Sequence, residues 1–194
     1  MSFLNWPAEE ALPSRRIQRQ RRRLILDLLE RFGREFPEIT YELLWESPSV
    51  NAQAWRFGSA RYVRVYGGLA RHPAITKYGL VFMLAHETGH HLGGPPRDPA
   101  MPWMTWQGQA DYWAASVAMP RIYGPRARGA TFRAAREIVA LHRMSASELE
   151  DDEPDLSPEC RYCILRSGAL GQGIPSCALE AFALISDDSR GLYE

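Results

Sequence analysis

An α+β fold is expected for this chain: a small antiparallel or mixed sheet, one buried helix, and further helices around them. Three observations in the 194-residue sequence lead there. Runs with strand-like alternation cluster between residues 41 and 66. The stretch 76–92 is apolar all round at Leu80–Ala85 and ends at Gly93-Gly94-Pro95-Pro96, the pattern of a helix lodged in the interior. Most of the remainder carries helical spacing and helix stops. With 45% hydrophobic and 24% charged residues, the chain can bury a core of ordinary size.

Ser14–Phe36 reads as the first helix. Ser14 is a candidate cap, Pro37 bars continuation, and Ile17, Leu24, Leu28 and Phe32 recur at helical spacing. Tyr41–Glu46, Asn51–Phe57 and Arg61–Tyr66 read as strands, the last two joined by a turn at Gly58-Ser59 and the last ended by Gly67-Gly68. Thr76 is the candidate cap of the buried helix. Arg97–Trp106 is a loop with prolines and tryptophans. Gln107–Met119 is read as a helix stopped by Pro120, and Ala130–Arg143 as another. Ser145–Pro158 is acidic and reads as an exposed linker, followed by a short helix over Ser176–Ile185.

Lys+Arg and Asp+Glu both number 23, so global charge points to no nucleic acid or membrane surface. The arginines at 15, 16, 19, 21, 22 and 23 form a basic half-helix without interleaved aromatics, which reads as a solvated face rather than a nucleic-acid contact. No apolar run reaches the length of about 18 residues that spans a bilayer. The first ten residues lack the pattern of a signal peptide. As it stands the sequence is expected to be cytoplasmic, or exported if a leader has been removed.

The chemistry concentrates at His86-Glu87-Thr88-Gly89-His90, an HExxH pattern on the buried helix. Residues four apart lie one turn above each other, so two imidazoles can grip one zinc ion. Glu87, one step round, can reach a water on that metal and act as general base. Burying these three polar side chains without partners is costly, and a metal removes the cost. A catalytic zinc needs a third protein ligand. Asp111 is the preferred candidate, since it opens a helix after the loop and is the only acid between Asp98 and Glu137. Its other reading is an acceptor for the free nitrogen of a ligating histidine.

The run from 86 to 94, with Gly108-Gln109-Ala110-Asp111-Tyr112-Trp113-Ala114, resembles the zincin metallopeptidases. It is similar to bacterial predicted peptidases with HELGHHLGG followed by EGQADYF. Asn51-Ala52, residues 66–73 and Ile75-Thr76 share in the likeness, which runs from about residue 50 to 120. The resemblance implies a zincin-like catalytic domain over 1–145, with 146–194 as a cysteine-containing extension packed on it. It implies a zinc-dependent peptidase acting on a peptide or protein. In gluzincin-like families, including the ImmA/IrrE type, a glutamate supplies the third ligand; its position here is Gln107. Either Asp111 takes over, as aspartate does in aspzincins, or Gln107 ligates weakly. The alternative to an enzyme is a zincin-fold binding or regulatory protein with little turnover.

In zincins the strand before the active-site helix lies at the sheet edge and accepts an extended substrate, which implies that role for Arg61–Tyr66. Tyr112, His91, His72 and Tyr123 are the candidate donors to a developing oxyanion. Trp103, Trp106 and Trp113 either line the cleft or join the core. Cys160, Cys163 and Cys177 leave three readings open: a disulfide in an exported chain, an incomplete structural zinc site, or free thiols.

Overall fold

A computed structural model of the chain describes residues 2–5, 13–146 and 156–191. Strand β1 (Ser2–Asn5) precedes helix α1 (Arg15–Glu35), which leads into β2 (Thr40–Leu44), β3 (Ser49–Phe57) and β4 (Ala60–Tyr66). Then come α2 (Gly67–Arg71), α3 (Lys77–Leu92), α4 (Gln107–Trp113) and a π-helical turn at Ala114–Ala118. Helix α5 (Met119–Tyr123) and a short 3-10 turn lead to α6 (Ala127–Ala146), followed by α7 (Pro158–Ala169) and α8 (Ser176–Gly191). The expected α+β architecture is observed, with a mixed sheet in the order β1-β3-β4-β2. β1–β3 and β3–β4 are antiparallel, and β2–β4 is parallel.

That order corrects one expectation. Arg61–Tyr66 lies in β4, which pairs with β3 on one side and β2 on the other, and is not an edge. The return of β2 alongside β4 takes away the edge that the order of strands in the chain suggested. β1 pairs with only the first residues of β3, so β3 carries the edge on the α3 side.

Helix α3 is buried from Gly79 through His91, as its all-round apolar character requires. Thr76 caps it, with Oγ1 accepting from the Tyr78 amide, and the Glu137 carboxylate accepts from the Thr76 and Gly79 amides at 2.9 Å each. Its apolar face packs against Phe32 and Phe36, the sheet residues Val63 and Val65, and Ala134 and Ile138 of α6 in one core. A smaller cluster of Trp106, Leu156, Cys160, Ile164 and Ala178 lies under α7 and α8.

Gly67 and Gly68 open α2 instead of merely ending a strand. A Cβ on Gly68 would lie 2.0 Å from the Pro48 carbonyl oxygen, so only glycine lets the chain turn there. Pro120 does not stop the helix begun at Gln107. It falls in the first turn of α5, just after the π turn, where its missing N–H costs no intrahelical bond. Helix α7 has no counterpart in the sequence reading, because the acidic run before it hid its start. Ser157 caps that start, accepting from the Cys160 amide. No described helix is long and apolar enough to cross a membrane.

Candidate metal centre

His86, Glu87 and His90 lie buried on one face of α3, with one potential ligand atom from each within 4.8 Å of the others. Their rings and carboxylate converge because of helix periodicity; the two imidazole centroids are 4.6 Å apart. Each imidazole is held through Nδ1. That of His90 donates to the Thr105 carbonyl at 2.7 Å, and that of His86 donates to Asp111 Oδ1 at 2.7 Å. These bonds fix a ring proton on Nδ1 of each histidine, so that the tautomer with its lone pair on Nε2 is the one a metal ligand needs. Burial, with His86 beside it, holds His90 well below the usual histidine range, so this ring is neutral.

Glu87 Oε2 accepts from the backbone amide of Ala54 in β3 at 2.7 Å. Burial pushes its carboxyl up, against the pull of His86 and that hydrogen bond. The carboxylate is thus fixed to the sheet by one oxygen and disposed to hold a proton.

Helix α4 reaches this site through Gly89. A Cβ there would lie 2.9 Å from the Ala110 carbonyl oxygen and 3.1 Å from its Cα, so a side chain would push α4 away. The close approach brings Asp111 to His86. Asp111 is fully buried and both its oxygens are engaged. Oδ1 meets His86 Nδ1 and Arg161 NH2, and Oδ2 accepts from Arg161 Nε at 2.7 Å. Burial alone would raise the Asp111 carboxyl, but Arg161 and His86 outweigh it and hold the group well below the usual carboxylate range. Of its two sequence readings, this surrounding is the one for an acceptor that orients a ligating histidine.

Gln107 begins α4, one turn before Asp111 and so on the same helical face. Its Oε1 is buried with no hydrogen-bond partner among the described residues, and His86 Nε2 is in the same condition. Two orphaned acceptors on packed helices are the fit a cation requires. Donors of this kind, imidazole nitrogen and side-chain oxygen, suit zinc.

Each candidate oxyanion donor makes a contact of its own. Tyr112 Oη donates to the Gln172 carbonyl, and His91 Nε2 meets the Tyr62 carbonyl while its ring stacks on Trp103. His72 Nδ1 accepts from the Ala74 amide, and Tyr123 packs on Tyr78. Burial lowers His72 and His91 to about 4 each. Trp106 packs on Phe182 and Trp113 on Phe36. Cys160 and Cys177 form a disulfide between α7 and α8, while Cys163 is free and exposed.

Sequence reasoning missed three contributors: Arg161, the Ala54 amide and the Thr105 carbonyl. Backbone groups carry no residue signal, and a buried arginine reads in sequence like any exposed one. Arg161, only 1% exposed, also reaches His142 through NH1.

A model of peptidase family M48 matches residues 14–107, just under half of the chain. The match takes in α1, the β2–β4 sheet, α3 and Gln107, and it supports a metallopeptidase, hence a hydrolase. No curated protein and no solved structure matches.

Proposed function

We propose that the chain is a zinc metallopeptidase hydrolysing peptide bonds, with His86, His90 and Gln107 holding the metal and Glu87 as general base. The observation that carries this reading is the pair of buried atoms, His86 Nε2 and Gln107 Oε1, that meet no hydrogen-bond partner among the described residues. A buried polar atom left unsatisfied costs about 1–3 kcal/mol. Two on adjoining helices, one of them in the His86–Glu87–His90 cluster, are atoms that a bound cation would satisfy. Asp111, already carrying His86 and Arg161, acts through His86 by fixing its ring plane and tautomer.

A bound zinc ion supplies Lewis acidity, acidifying water and polarising the peptide carbonyl. Glu87 does the proton work. With Oε2 held by the Ala54 amide, the other oxygen accepts the proton of the attacking water and passes it to the leaving amine. The raised carboxyl of Glu87 suits that return step. An extended peptide lying along β3 on the side away from β4 would carry its scissile bond past Glu87. The disulfide between α7 and α8 favours an oxidising compartment over the cytoplasm.

The test is zinc-loaded protein assayed on a broad peptide library beside Glu87→Gln. Cleavage should fall by roughly 10²–10⁴-fold with zinc retained. Equal cleavage by the two proteins rejects the assignment. A second reading, a metal-holding regulatory or binding protein with little turnover, is favoured by the amide at position 107, a weaker ligand than carboxylate. It predicts stoichiometric zinc and no cleavage of any library member.

A further inference from the structure

The edge of β3 is not wholly free. Its first residues pair with β1, antiparallel, with Ser2 opposite Asn51 and Asn5 opposite Ser49. Three residues further along the same strand, the Ala54 amide donates to Glu87. At about 3.3 Å per residue, the paired region ends some 10 Å from the catalytic carboxylate. β1 also runs close to α6, the helix that bears His142. Asn51, at the register point, keeps a buried Oδ1 with no partner among the described residues.

Polarity decides what β1 stands in for. An antiparallel strand running from Asn51 towards Ser49 has its N-terminal end directed at Ala54 and Glu87, and its C-terminal end directed away. A peptide cut at Glu87 and paired antiparallel with β3 would lay its amine-side half along the same residues in the same direction. One edge cannot pair with two strands at once.

Resting on the peptidase reading above, we propose that β1 is an intramolecular occupant of the peptide groove, holding the place of the amine-side half of a substrate and leaving before a substrate enters. A short tether to α1 gives the docked strand an effective concentration on the order of millimolar, enough to compete with weakly binding peptides without any added affinity. The groove is then closed by default and opened by whatever draws the N-terminal segment away.

The experiment uses full-length protein carrying Glu87→Gln, so that nothing is cut, with and without Leu4→Pro. Proline within β1 removes an amide and disfavours the pairing. The probe is a fluorescein-labelled peptide of residues 1–8 of this chain, read by anisotropy. If β1 is docked about nine-tenths of the time, undocking it tightens binding roughly tenfold. Phe3→Pro is the second variant and must behave alike, with melting temperature and zinc content unchanged in both. Equal affinity for all three proteins, or no binding to any, overturns the inference. Cleavage is read separately with Glu87 intact. If the proline variants bind the probe more tightly yet no library peptide is cut, the peptidase reading falls and the docked strand stands.

Discussion

Removing the charge of Asp111 while keeping its shape should destabilise the metal-free protein severely. In Asp111→Asn the Arg161 guanidinium loses both carboxylate contacts, at 2.7 and 2.8 Å, while remaining 1% exposed. Breaking a buried ion pair from one side costs about 3–5 kcal/mol, because a charge is left without compensation. For a chain of this size each kcal/mol shifts the melting temperature by roughly 2–4 °C, so a fall of about 6–20 °C is expected. The assay is thermal unfolding by circular dichroism in the presence of a chelator, so that metal loss does not enter. Adding Arg161→Met to Asp111→Asn should recover much of the loss, since the double variant no longer buries a guanidinium that has lost its carboxylate. The same Asp111→Asn protein should bind zinc about 10–100-fold more weakly, the usual effect of disturbing the partner of a ligating histidine. A melting temperature within a degree of the parent protein refutes the electrostatic argument. Complete loss of zinc binding in Asp111→Asn, alongside an unaltered Gln107→Ala, makes Asp111 the ligand instead.

Three further outcomes follow from the same geometry. Gln107→Glu should bind zinc at least about tenfold more tightly in competition with a chromogenic chelator, because carboxylate is a stronger zinc ligand than a neutral amide; unchanged affinity removes Gln107 from the coordination shell. The Asp111 carboxyl is lowered in the folded state, so the stability it contributes is complete above its ordinary value of 3.8 and drains away as pH falls further. The stability gap between the parent and Asp111→Asn should therefore be flat from pH 7 to about 5 and narrow below 3.8, and a gap that widens on acidification contradicts the sign. Gly89→Ala should cost about 1–3 kcal/mol by overpacking against Ala110, with a matching drop in zinc affinity as α4 is displaced; a fully stable variant means that the contact between α3 and α4 is looser than its distances imply.

Much of this molecule is local, and what is local was legible. Two histidines and a glutamate at positions 86, 90 and 87 converge through the pitch of a single helix, whatever surrounds it. The burial of α3 follows from apolar residues on every side of it, and its start from a threonine that can accept a bond from the Tyr78 amide. The three strands of β2–β4 were visible in alternation and turn residues. Pro120 misled because a π turn places it in a new first turn, and hydrogen-bond shifts of that kind leave no mark on spacing.

The remaining features depend on residues that meet only after folding. Asp111 and Gln107 sit one turn apart on one helix, so nothing along the chain says which of them is already taken. Arg161, fifty residues beyond Asp111, claims that carboxylate, while the amide oxygen of Gln107 is buried without a donor among the described residues. Which strand forms the edge beside Glu87 was likewise a matter of sheet order, set by β2 returning parallel to β4. Periodicity and capping act over a few residues and are written in residue order. Charge compensation and strand pairing act between distant segments, and they take form only when the core brings those segments together.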